Sequence, residues 1–229
     1  MASNYYEATG VLVLDRVTPV INALFRGLNL NAAYPGDGQA YIAHNYNDSS
    51  ADWDTICEEL AAVAASLGLF LPDEQTPWIA QVLETLSLHF GVDQDEALRN
   101  LIEHHPFEDV VAVDALFLIA TRFDDGHGLK EIRIEGSWSS SKLRLFEFGG
   151  DGCFLSREFE TFSDSGLAWR LGSAVRGALL NGELNKAASA IAREADRLLA
   201  GISDDTQRAT LYRLVAEQLG DGTAATRVS

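Results

Sequence analysis

A chain of 229 residues with 47% hydrophobic side chains is long enough to fill a core without a disulfide framework or a structural metal. Its 34 acids against 17 Lys and Arg leave a net charge of −17, which disfavours direct nucleic-acid binding, because that affinity rests on neutralising phosphates. Cys57 and Cys153 are isolated from each other and suit neither a disulfide set nor a zinc site. No apolar run reaches the ~18 residues of a membrane span, and Met1 to Glu7 lacks the basic and apolar regions of a signal peptide; a cytoplasmic protein without a membrane role is expected.

In chain order, Tyr5 to Leu14 reads as a strand. Thr18 offers a helix N-cap with Pro19 at the first helical position, and Val20, Ile21, Leu24, Phe25 and Leu28 share a face. Tyr34-Pro35-Gly36-Asp37-Gly38 is turn chemistry, and Ala40 to Tyr46 is a second strand, giving a β-α-β opening over residues 5–46. Three acidic helices are expected next. The first follows Ser49-Ser50 with Trp53, Ile56, Leu60 and Val63 at helical spacing, and ends at Gly68. The second opens at Thr76-Pro77 and ends at Gly91. The third has a capping-box pattern at Asp93-Gln94-Asp95-Glu96 and is halted by Pro106. Val110 to Thr121 is so uniformly apolar that periodicity does not decide between helix and strand.

From Leu129 the period becomes two. Segments 129–135, 142–148 and 153–162 read as strands with one solvated face, joined in part by a hairpin turn at Gly149-Gly150-Asp151-Gly152. Helices follow over 167–180, 184–199 and 203–219. The expected class is α+β: an antiparallel meander flanked by N-terminal and C-terminal helices. A single domain over 1–220 is expected, with an acidic helical half at about 48–114, the meander at about 129–162, C-terminal helices at about 165–219, and a disordered tail at 221–229.

The charge is polarised. Residues 27–121 hold sixteen acids and one base, Arg99, so −15 of the −17 lies there, whereas fourteen of the seventeen bases lie from Arg122 onward against sixteen acids. A field of one sign selects basic partners and repels polyanions. Asp52, Asp54, Glu58, Glu59, Asp73, Glu74, Glu84, Asp95 and Glu96 are the candidate contacts, each a salt-bridging or phosphate-like carboxylate. Helix starts also favour carboxylates through the backbone dipole, which explains part of this acidity without a partner.

Chemistry-bearing clusters are sparse. Asp124, Asp125 and His127 combine carboxylates with an imidazole and are the candidates for acid–base work. With His104 and His105 they are also candidate metal ligands, in a metal-dependent hydrolase or phosphoesterase. The competing reading is a solvated Asp-Asp-Gly turn before a strand, with His104-His105-Pro106 as a helix end. Gly149 to Gly152 lacks the Gly-Lys-Ser/Thr ending of a phosphate loop. Ser137, Ser139, Ser140 and Ser141 lack a nucleophile elbow, and Trp138 among them reads as packing or as a partner anchor. No cofactor is expected. The small residues Gly172, Ser173, Gly177, Ala187, Ala188 and Ala195 permit close helix packing within the fold or across a self-associated pair.

The stretches Tyr5 to Val20, Phe117 to Gly128 and Arg144 to Cys153 resemble a group of uncharacterised proteins carried on bacterial integrative and conjugative elements. The resemblance implies a setting, since mobile elements carry small acidic proteins that disarm host defence, and it implies no site residue. The expected function is a non-enzymatic acidic protein-binding module of a mobile element that occupies a basic nucleic-acid-handling or host-defence protein. The alternatives are the Asp/His hydrolase and a structural, self-associating accessory protein.

Overall fold

The computed structural model describes residues 4–45, 51–71, 78–108, 111–142, 145 and 147–225. They hold six strands and eight α-helices, an α+β fold with an antiparallel sheet. The chain divides into two compact units, 1–155 and 156–229.

In the first unit, β1 (Asn4–Val13) leads to α1 (Pro19–Phe25), whose start is capped by the Thr18 side chain on the Ile21 N–H. Five of its seven residues are buried, so α1 is a core helix rather than a surface one. A short 3-10 turn at Arg26–Leu28 precedes β2 (Asn31–Gly36) and β3 (Gln39–Asn45). β2 is an addition to the expected β-α-β opening: Tyr34, Pro35 and Gly36 belong to this bulged edge strand, where proline is tolerated, and the turn is confined to Asp37-Gly38. β3 runs antiparallel to β1.

Helices α2 (Trp53–Ser66), α3 (Ile79–Phe90), α4 (Glu96–His104) and α5 (Val113–Arg122) follow. The caps are local. Asp52 and Asp95 accept from the N–H groups of Thr55 and Leu98, and Gly91 ends α3 at φ 69°, a left-handed conformation that glycine adopts without penalty. Ser49, Ser50, Thr76 and Pro77 lie outside the described residues. The undecided 110–121 segment is helical from Val113. Six of its residues are buried around most of the circumference, which is why no stripe marks it in the sequence.

β4 (Glu131–Ser140) pairs with β1 along its whole length, and β5 (Phe148–Ser156) lies beside β4, giving the order β2-β3-β1-β4-β5 in this unit. Here the expected hairpin turn at Gly149 to Gly152 is corrected. Gly149 to Gly152 is not a turn but the body of β5, and the Ser140 N–H donates to the Glu147 carbonyl at 3.0 Å; residues 143, 144 and 146 of the expected 142–148 strand lie outside the described residues. The glycines instead let strands approach: a Cβ on Gly150 would stand 2.9 Å from the Gly136 carbonyl oxygen. The core is one cluster drawn from Leu12, Ile21, Phe25, Leu60, Leu86, Leu116 and their neighbours.

The second unit holds β6 (Glu160–Asp164), α6 (Leu167–Leu180), α7 (Leu184–Ala200) and α8 (Asp205–Ala225). α8 carries helix five residues into the tail expected to be disordered. Among the described residues of this unit Ala178, Ala187 and Ala190 are the buried hydrophobics, and α6 packs on α7; of the small residues named from the sequence, Ala187 is buried, whereas Gly172, Ser173, Gly177 and Ala188 are exposed and Ala195 is half-buried. Backbone bonds from Glu160 N–H to Gly201 O and from Ser203 N–H to Glu158 O tie the end of α7 to β6.

Candidate functional site

The nine candidate partner-contact carboxylates fall into distinct environments. Asp52 is spent as the α2 cap. Glu59 pairs with Arg26 at 3.1 Å, and Asp95 pairs with Arg122 at 2.6 Å while capping α4, so bases from either side of the acidic segment pair with two of the nine. Asp54 and Glu58 on α2, Glu84 on α3 and Glu96 on α4 are exposed and have no ion pair among the described residues. Asp73 and Glu74 lie outside the described residues. Arg99, the one base of this segment, pairs with Glu103 at 3.6 Å. Around it, Glu84, Asp93 and Glu103 line one shallow cleft, which Arg99 only partly offsets.

Large apolar side chains stand out in the same helical region. Phe70 and Trp78, in the α2–α3 connection, are 74% and 77% exposed, and Leu67, just past the end of α2, and Leu88 on α3 are exposed too.

The Asp/His cluster is occupied by structural work. Asp125 accepts from Thr18 Oγ1 at 2.5 Å and from the Val20 N–H at 3.1 Å, making it a second cap for α1 delivered from a distant loop. Asp124 Oδ1 accepts from the N–H groups of Gly126 and Gly128, the geometry of an Asx turn. His127 is fully buried. Its Nδ1 accepts from the Leu129 N–H at 2.8 Å, which leaves Nε2 to donate to the Ala120 carbonyl at 3.1 Å. With both ring nitrogens engaged by backbone, the imidazole has no lone pair for a metal or a proton in transit. His105 accepts from the Phe107 N–H and packs edge-on against Trp53 with ring centroids 5.1 Å apart, and His104 bonds the Asn100 carbonyl at the end of α4. Among the described residues no group of three or more His, Cys, Asp or Glu is arranged to hold a metal. Asp124 Oδ1 lies 3.8 Å from His127 Nε2.

The strands assemble a different constellation. On the helix-facing side of the sheet, Leu12, Ala40 and Ile132 form one buried row, followed by Gly10, Ile42 and Ile134, then Ala8, His44 and Gly136, then Tyr6 and Trp138. On β1 the side chains shrink from Leu12 to Gly10 and Ala8 before Tyr6, and polar groups enter the rows at His44 and Tyr6. The result is a hollow of about 170 Å³ between the sheet and Leu28, Val111 and Val113. Its half-exposed end carries Tyr6 and His44, whose rings are 5.6 Å apart. The Tyr6 hydroxyl donates to Asp151 Oδ1 at 3.0 Å, and a Cβ on Gly136 would collide with both partners. Burial, and secondly the Asp151 carboxylate, push the Tyr6 hydroxyl up to about 12; burial, then Asp151 and Asp114, push the neighbouring Cys153 thiol up to about 11. Both groups therefore hold their protons at neutral pH. Tyr6, His44, Asp151 and Cys153 come from three strands whose register the sequence does not disclose. The signal that existed was glycine inside strand patterns, at Gly10, Gly136 and Gly150, which marks close backbone approach.

No protein-family model, no curated protein and no solved structure matches this chain.

Proposed function

We propose that the protein is a non-enzymatic binding module whose acidic helices α2 to α4 receive a basic protein partner. A nucleic-acid-handling or host-defence protein of the bacterium that hosts a mobile element fits this role, because such proteins carry basic surfaces for polyanions. The observation that carries the reading is the exposure of Phe70 and Trp78, in the connection between α2 and α3, together with that of Asp54, Glu58 and Glu84 on the two helices, which have no counter-ion among the described residues. Charge would set the encounter rate and the choice of partner, and the aromatic side chains would supply affinity once water is excluded.

The test is affinity capture from a bacterial lysate at low and high salt, using wild type, a Phe70→Ala/Trp78→Ala variant and an Asp54→Asn/Glu58→Gln/Glu84→Gln/Glu96→Gln variant. A basic protein held by wild type at low salt, released at high salt and lost by both variants is the expected result. Equal retention by all three proteins would remove the surface from the account.

A further inference from the structure

We propose that the hollow between the sheet and the start of α5 is a small-molecule site for a single-ring aromatic compound carrying one hydrogen-bond donor. It is distinct from the acidic helices, and its existence does not depend on their role.

Size sets the ligand class. A volume of about 170 Å³ is close to the roughly 150 Å³ that an apolar protein cavity needs to take up benzene, and too small for a fused multi-ring cofactor. Its walls are apolar: Ala8, Leu28, Ile42, Val111, Val113 and Ile134 present no side-chain polar atom. Water in such a space finds few partners, whereas a flat ring recovers the dispersion contacts that an unfilled hollow forfeits.

The hollow is a built feature of the sheet. Where Leu12, Ala40 and Ile132 fill the space under the helices, the next rows carry Gly10, Ala8 and Gly136 at the matching β1 and β4 positions. Two of these positions exclude a side chain altogether: a Cβ on Gly10 would strike the Arg133 carbonyl, and one on Gly136 would strike the Tyr6–Asp151 hydrogen bond. The sheet is thus unable to fill the hollow from Gly10, the glycine that lines it.

The polar end sets the donor. Tyr6 gives its proton to Asp151, which leaves the phenol oxygen as an acceptor, and the adjacent His44 ring supplies a second polar group. A ligand N–H or O–H satisfies that oxygen. The Asp151 carboxylate behind it and the net charge of −17 favour a neutral or cationic donor over an anion.

The probes are benzene, phenol, benzylamine and benzoate, titrated into the full chain and followed by the methyl resonances of Val111, Val113 and Ile134. Saturable shifts with phenol or benzylamine are expected, with intermolecular ring-to-methyl Overhauser contacts, weaker binding of benzene and none of benzoate. Ala8→Leu fills the hollow and should abolish binding. Tyr6→Phe should weaken the donor-bearing probes about tenfold, the scale of one lost hydrogen bond, while leaving benzene unchanged. Absence of saturable shifts in wild type, or contacts to methyls elsewhere, overturns the site even if the Ala8 variant fails to fold. Benzene binding as tightly as phenol, or benzoate binding best, overturns the assignment of its polar end.

Discussion

The helices α2 to α5 and the helices α6 to α8 both carry many apolar side chains, yet they spend them differently. In the first group Leu60, Leu83, Leu86, Leu98, Leu116 and Ile119 are fully buried, and carboxylates are left on the outside. In the second, among the described residues, three alanines are buried, while Leu180, Leu184, Ile191 and Tyr212 remain exposed. Helical periodicity announces that a face is apolar, and it does not announce what covers it. The contrast also separates two kinds of surface: an acidic one with a few bare aromatics, and a charge-balanced one with many bare aliphatics, the second being where the self-association alternative would have to act.

The sharpest break of this contrast is a pair of truncations. Leu86→Ala should cost about 2–5 kcal/mol in urea unfolding, because it opens a cavity in the core, whereas Leu180→Ala should change stability by less than about 0.5 kcal/mol. Comparable losses would mean that α6 is covered in solution, and sedimentation at micromolar concentration would then show more than a 25 kDa monomer.

A smaller effect is expected at Asp125. Removing both of its hydrogen bonds to the start of α1 by Asp125→Ala should cost about 1–2 kcal/mol in the same measurement. If the residue caps a helix rather than ligating an ion, a chelator should leave the wild-type melting temperature unchanged; a fall on adding chelator would revive the metal reading.

The pH profile is subtler. Tyr6 and Cys153 bind their protons more tightly in the folded chain, so their contribution is present below the ordinary values of 10.0 and 9.0 and disappears as pH climbs toward about 12 and about 11. Stability should therefore decline across pH 9 to 12, and Tyr6→Phe should flatten the upper part of that decline. In the second unit the sign reverses. Arg170 holds the Asp164 carboxyl below its ordinary 3.8, so that pair contributes above this value and loses its contribution as pH falls through the lowered one. The pair is exposed, so its effect should be the smallest of the set.

Much of this architecture was legible because it is local. Thr18-Pro19, Asp95 and Gly91 each mark a helix boundary through a group that bonds or bends within a few residues of itself, and the boundaries fell where those residues stand. What escaped was non-local. Gly149 to Gly152 carries the composition of a turn, and only the presence of Gly136 on the neighbouring strand shows why a strand there needs glycine. Likewise Asp125 looks like turn chemistry until α1 is seen above it. The acidic surface was visible as a charge imbalance, though not that Asp52, Glu59 and Asp95 are engaged in caps and ion pairs. The Tyr6–Asp151 contact joins residues 145 positions apart and had no sequence signature.

The most direct test of a partner surface on the acidic helices is the salt dependence of the dissociation constant for the captured protein, measured with wild type and with the Asp54→Asn/Glu58→Gln/Glu84→Gln/Glu96→Gln variant. Charge-driven association should give wild type a steep weakening with ionic strength and the variant a weaker, nearly flat dependence. The same slope and the same affinity for both proteins would contradict the account.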